Sequence, residues 1–303
     1  MRAVTLLPSA TEIVYALGVE PVGVSHECDF PPAARDLPAV VDSRVDPDAD
    51  SRTIDREVRA IERDGEGVYE IDVETLDRLD PDLIVTQGIC DVCAVDEVLV
   101  ERVLGDIDAD PAVVTTDPHS VGDVLDDIGR VGAALGREDR AAEIVEGARE
   151  RIERVRDRVP DGDRPGVAVL DWLDPVMVAG HWVPELVEIA GGEFGLADPG
   201  DRSRPREWAD LRAYDPEVLV AGPCGFDVDQ TARDLDLLTD RPGYEDLAAV
   251  PDRAYAMDGT ALLNRPGPRL IDTLEALAWI VHPAVFDRPE ESLVSPLAGL
   301  ARV

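Results

Sequence analysis

His26-x-Cys28 and Cys90-x-x-Cys93 put one imidazole and three thiols on two stretches of the chain. Zinc or another soft metal accepts such a set when the loops converge, so His26, Cys28, Cys90 and Cys93 are candidate metal ligands. The same Cys-x-x-Cys could instead lower a thiol pKa and support redox or ligand-exchange chemistry. Against both, the chain holds a single Cys-x-x-Cys, 62 positions separate Cys28 from Cys90, and small thiols are common in cores. Asp46-Pro47-Asp48-Ala49-Asp50 with Glu57 is spaced like a calcium loop, but Ser51 stands where glycine is needed. It reads as a solvated acidic loop. Gly-x-Ser-x-Gly, His-Glu-x-x-His and Gly-x-Gly-x-x-Gly do not occur, which disfavours the familiar hydrolases and dehydrogenases. All 29 basic residues are arginine. Without lysine there is no phosphate-loop lysine, kinase-type lysine or Schiff base.

The remaining chemistry-bearing residues fall just after apolar runs that read as strands. In open α/β sheets ligands sit beyond the carboxyl ends of the strands. Val4–Leu7 leads into Ser9 and Thr11; Val22–Val24 leads into His26, Glu27, Cys28 and Asp29; Leu83–Val85 leads into Gln87 and Cys90. Further on, Val167–Leu170 leads into a polar and aromatic loop with Trp172, His181 and Trp182. Val218–Val220 leads into Cys224, Phe226 and Asp227, and the run ending at Met257 leads into Asn264 and Arg265. All four cysteines and two of the four tryptophans land in these loops, which points to one cleft. Each has a plainer use. Ser9-x-x-Glu12 predicts a capping box, Trp182 could be core, and His119 and His282 sit in ordinary loop and helix-end contexts.

Those loops require two similar lobes. Leu76–Val85 and Leu211–Val220 each read as a helix end, an acidic turn containing Asp-Pro and a fully apolar strand, and Ala112–Thr115 pairs in the same way with Ala254–Met257. Continuous apolar strands alternating with amphipathic helices indicate parallel sheets covered on both faces. The expected fold is α/β, with two doubly wound parallel-sheet lobes, residues 1–135 and 161–286. A stiff bridging helix occupies 136–160, where Ala141, Ile144, Val145, Ala148, Ile152 and Val155 recur at helical spacing, and 287–303 forms a tail.

The chain has 303 residues, 45 % hydrophobic but only 4 % aromatic, with 65 acidic side chains and a formal net charge of -36. Such an excess repels nucleic acid and anionic membranes. Spread along the whole chain, it resembles the acidic, lysine-free surfaces of proteins from salt-saturated, halophilic cytoplasm. No apolar run reaches the ~18 residues of a membrane span, and Met1–Leu7 enters a strand without a leader, so the expected location of the chain as written is cytoplasmic, and extracytoplasmic only if the true start lies upstream.

Leu7-Pro8-Ser9-Ala10-Thr11-Glu12-Ile13, Leu79-Asp80-Pro81-Asp82-Leu83-Ile84 and Pro242-Gly243-Tyr244 before Ala254-Tyr255 resemble the helical-backbone (class III) binding proteins of ABC importers. That family binds vitamin B12, haem or iron-siderophores between two lobes joined by one long helix. His26-Glu27-Cys28-Asp29, Cys90-Asp91-Val92-Cys93, Pro223-Cys224-Gly225-Phe226-Asp227 and Asn264-Arg265-Pro266-Gly267-Pro268-Arg269 resemble a leaderless subgroup labelled cobalamin-binding. The resemblance implies a non-enzymatic protein that holds a corrinoid and could serve an ABC permease. Its alternatives are a thiol-dependent corrinoid-processing enzyme and a metal- or haem-type chelate binder using His26 and the cysteines.

Overall fold

The structure, a computed structural model, describes residues 1–64, 67–89, 95 and 97–300. Its strands are β1 (Ala3–Thr5), β2 (Val24–Ser25), β3 (Ala39–Ser43), β4 (Tyr69–Ile71), β5 (Leu83–Gln87), β6 (Ala112–Thr116), β7 (Val167–Leu173), β8 (Val176–Val178), β9 (Arg204–Pro205), β10 (Val218–Ala221), β11 (Ala254–Met257) and β12 (Val294–Pro296). Its α-helices are α1 (Pro8–Ala16), α2 (Ser51–Arg63), α3 (Val73–Leu79), α4 (Glu97–Leu104), α5 (Val121–Leu135), α6 (Glu138–Arg158), α7 (Val183–Ile189), α8 (Trp208–Tyr214), α9 (Val228–Arg233), α10 (Asp236–Thr239) and α11 (Leu270–Val281).

The first lobe pairs β1, β5 and β6 in parallel, and a second set runs β2-β3-β4. Thr5 N–H to Gly23 O (3.1 Å) and Val22 N–H to Ala3 O (2.8 Å) tie the two sets together. The second lobe orders its strands β12-β11-β10-β7-β8-β9, with β11, β10 and β7 parallel and the outer strands antiparallel. The repeat read from the sequence is physical. Asp80 and Asp215, at the ends of α3 and α8, both take left-handed backbone (φ 44° and 50°), a conformation aspartate tolerates better than most residues. The proline that follows then starts the turn into a buried central strand.

Two expectations change. Asp171–Trp182 is not one loop: β7 and β8 form a hairpin across it, so the second sheet is mixed. In the stretch expected as a tail, β12 extends that sheet by pairing antiparallel with β11.

Helix α6 runs 21 residues, with Ala141, Ala148, Ile152 and Val155 buried along one seam. It is fastened to both lobes. Arg140 Nε donates to Ala16 O at the end of α1 (3.1 Å), and Arg151 donates to Asp272 and Glu275 of α11 (2.6 and 2.7 Å). One continuous apolar cluster runs from α1 and α5 through α6 into the second sheet. A bridge packed on both lobes restricts their relative motion.

Candidate functional site

The turns after β1 and β2 form the first wall. Pro8 occupies the opening helical position of α1 and Leu7 is its N-cap, without a side-chain cap. Proline is pre-set for that position, so Ser9 lies inside the helix and the expected capping box does not form. Glu12 is thereby free to reach across to the other lobe. Ser9 and Thr11 are buried. Thr11 Oγ1 lies 2.6 Å from Thr5 Oγ1 and 3.0 Å from Cys28 Sγ. Cys28 is thus packed behind the wall with Val24 and Ala34, and burial pushes its thiol up to about 11. A thiol so far from ionising is neither a ready nucleophile nor a ready metal ligand.

His26 Nδ1 faces Val41 O at 3.0 Å. A carbonyl only accepts, so Nδ1 carries a proton, and the other ring nitrogen is Nε2. That Nε2 is buried without a hydrogen-bond partner among the described residues. Glu27 Oε1 stands 3.8 Å away, and the Glu27 side chain is otherwise exposed. Gln87 is buried at the end of β5. Cys90 and Cys93 lie outside the described residues, and no group of three potential metal-binding side chains occurs among those described.

The second wall is built from the end of β7 and the turns after β10 and β11. Trp172, half-buried, has its ring 5.4 Å from that of the buried Phe226. Gly259 follows β11 where a Cβ would come within 2.0 Å of Pro223 O; only glycine lets these two turns meet. Asn264 Nδ2 donates to Gly222 O (3.1 Å) and Gly259 O (3.3 Å), locking them together. Asp227 caps α9 through Gln230 N–H (2.6 Å). Trp182 is core, its Nε1 donating to Leu263 O at 3.1 Å. Asn264, Asp227 and Trp182 therefore serve to shape the wall. Cys224, half-buried, bonds through its backbone N–H to Asp171 O (3.0 Å).

Three sets of contacts close the lobes on one another. In the first, Arg265 Nη1 donates to Glu12 Oε1 (2.9 Å) and Asp29 Oδ1 (2.6 Å). Arg269 donates through Nε to Glu12 Oε2 (2.9 Å) and through Nη2 to Glu12 Oε1 (2.6 Å), and its guanidinium sits 4.0 Å from the centre of the Phe30 ring. Burial alone would lower the Arg265 pKa, but Glu12 and Asp29 hold it above its ordinary value. In the second, Ser51 donates from N and Oγ to Asp234 Oδ2 (2.7 and 2.6 Å), Arg52 pairs with Asp174, and Gln230 Nε2 donates to Pro47 O (2.7 Å). The acidic stretch 46–50 thus leads into an inter-lobe contact and is not purely solvated. In the third, Val121 N–H donates to Glu185 Oε2 (2.8 Å), and the His119 and His181 rings meet at 5.5 Å. Burial, aided by His119, lowers the His181 pKa to about 4, so this ring is neutral near pH 7.

The sequence reading missed Glu12, Arg269 and His119 as residues of the contacts between the lobes. Arg269 had a signal, since it closes the same Asn264–Arg269 phrase as Arg265. His119 had none, because its partner lies 62 residues on.

A family model described as periplasmic binding protein matches residues 4–253. The chain belongs to the periplasmic binding protein family. Within it, the two lobes and bridging helix are those of the helical-backbone class, whose members are substrate-binding proteins. The chain is 24% identical over 295 residues to an uncharacterized ABC transporter substrate-binding lipoprotein of Bacillus subtilis, covering 94% of this chain and 81% of that one. It is 24% identical over 291 residues to a cobalamin-binding protein of Halobacterium salinarum, covering 93% and 69%. Among solved structures it resembles a periplasmic haem-binding protein of Pseudomonas aeruginosa (TM-score 0.74, 22% identity, 97% of each chain). It also resembles the vitamin B12-binding protein of Vibrio cholerae (TM-score 0.66, 20% identity, 93% and 97%). Among the described residues of this family member, no helix is long and apolar enough to cross a membrane.

Proposed function

We propose that this substrate-binding protein holds a cobalamin-like corrinoid between its lobes and delivers it, without chemical turnover, to a partner such as an ABC permease. The observation that carries the reading is the internal neutralisation of Arg265 and Arg269 by Glu12 and Asp29. Haem bears two propionates and is best met by unpaired cations, and here both guanidiniums are already engaged. A corrinoid offers a broad, partly apolar ring fringed with neutral amides, which suits Trp172 on its Phe226 backing and the polar backbone of the turns. The Halobacterium relative's name supports the same cargo.

A haem-type chelate is the second reading, favoured by the buried, unpartnered Nε2 of His26 and the neutral His181. The thiol-enzyme alternative loses support at Cys28, whose thiol is buried and protonated. Titration of the purified protein with cyanocobalamin and, separately, with haemin, in high salt and followed by calorimetry, distinguishes the cargoes. The expected result is one cobalamin per chain with a Kd of about 1 μM or tighter, near -8 kcal/mol, and much weaker haemin binding. Heat with haemin alone would transfer the assignment to haem, and heat with neither would remove both.

A further inference from the structure

The three sets of contacts between the lobes are not equivalent. The bridge α6 packs chiefly on α5, α7 and α11. The first set joins Glu12 of α1, a helix whose end also holds Arg140 of the bridge, to Arg269 at the start of α11. The third joins the first residue of α5 to Glu185 of α7. Both sets therefore lie on elements that the bridge itself holds. The second set does not. It joins the start of α2 and the segment before it to α9 and to the tip of the β7–β8 hairpin, none of them a main partner of α6. Lobes tied along a bridge part about that bridge, so a fastening that lies off it bears most on their opening.

The second set is also built from the two walls. Segment 45–52 follows β3, which runs parallel to β2, so it emerges at the same sheet edge as the turn with His26 and Asp29. Asp50 Oδ1 accepts from Thr53 N–H (2.8 Å) and starts α2. The Ser51 amide is another of the donors a helix start leaves unpaired, and the other lobe supplies its acceptor. Asp234 Oδ2 accepts from Ser51 N–H (2.7 Å) and Oγ–H (2.6 Å), and both residues are buried. A carboxylate there also faces the positive end of the α2 dipole. Around this contact, Gln230 Nε2 donates to Pro47 O (2.7 Å), and Arg52 pairs with Asp174. Arg241 Nη2 holds the same hairpin tip through Leu173 O (2.9 Å) and Asp174 Oδ1 (3.2 Å). Asp174 stands just beyond Trp172, and Asp234 ends the helix that follows Phe226 and Asp227.

We propose that the second set is a latch on the free edge of the interface, one that must release for cargo to enter or leave. The inference rests on the corrinoid reading and adds the control of exchange at that site. Ser51 and Asp234 satisfy each other, so releasing them favours entry and exit alike. Association and dissociation should then quicken together while affinity barely moves. A residue that held the cargo would change dissociation alone, and one that merely steadied its lobe would change neither rate.

Asp234→Ala tests this, because it removes the carboxylate and keeps the backbone bonds at the end of α9. Stopped-flow absorbance with cyanocobalamin reads both rates, and hydrogen exchange of the Ser51 amide reports the release itself. The expected result is both rates at least about tenfold faster, as the loss of a charged hydrogen bond implies, with Kd within about twofold. Wild-type rates in a variant whose Ser51 amide exchanges faster would overturn the latch, and so would faster dissociation with unchanged association. If the variant lacks a cooperative unfolding transition, Arg52→Ala combined with Gln230→Ala replaces it, removing the outer contacts and leaving the buried one. Both rates should then rise about threefold, and unchanged rates would overturn the role. Should the wild type bind haemin and not cobalamin, the corrinoid reading falls, and the same acceleration measured with haemin would uphold the latch. Binding of neither would overturn both.

Discussion

Glu12→Ala lowers the unfolding free energy by about 3 kcal/mol. Glu12 accepts three hydrogen bonds from two guanidiniums and is 3 % exposed, while Arg265 is 4 % exposed. Removing one partner of a buried pair leaves an uncompensated charge, a larger loss than the net worth of the pair. The figure sits at the low end of its range because Arg265 retains Asp29, and Arg269 retains partial solvent contact and the Phe30 ring. Buried pairs are screened little by salt. The loss should therefore persist in molar salt, where exposed pairs such as Arg140–Glu143 count for little. Urea unfolding of both proteins at low and high salt checks this, and a difference below about 1 kcal/mol would show that the network is incidental to the lobes' association.

Trp172→Ala weakens cobalamin binding about 30-fold, the equivalent of about 2 kcal/mol for a central aromatic anchor. Its ring is half-buried and backed by the fully buried Phe226, which holds its position before the cargo arrives and limits the entropy lost on binding. Because the side chain is not core, the fold should survive the change, and Trp172→Phe should recover part of the affinity. Trp182 makes the contrast: it is core and hydrogen-bonded to Leu263 O, so its loss should appear first in stability. Calorimetric titration of the variants, with melting curves alongside, separates these effects. Wild-type affinity in Trp172→Ala would place the ring outside the contact.

Much of the scaffold was legible because it is local. The apolar runs at 83–87, 167–170 and 218–221 carry their strand character in adjacent residues, and α6 shows its buried seam in its own periodicity. Paired Asp-Pro turns announced the repeat. What escaped depended on partners far along the chain or on competition between local signals. Ser9-x-x-Glu12 satisfies the capping pattern, yet Pro8 claims the first helical position and shifts Ser9 inward. Glu12 then finds Arg265, 253 positions away, a pairing no local pattern encodes. The irregularity at Asp171 escaped for a related reason: Asp174-Pro175 read as the middle of a loop, whereas it turns a hairpin whose register slip exists only against β8. Cys28 had the composition of a ligand but the position of a core residue, with Thr11 beneath it.

The central claim is that turns from both lobes close on one cargo. Hydrogen–deuterium exchange with and without saturating cobalamin tests it most directly. The account predicts slowed exchange of backbone amides in segments 25–30 and 86–89 of the first lobe together with 171–173, 222–227 and 259–265 of the second. Protection confined to one lobe, or appearing only on outer surfaces remote from these turns, would contradict it.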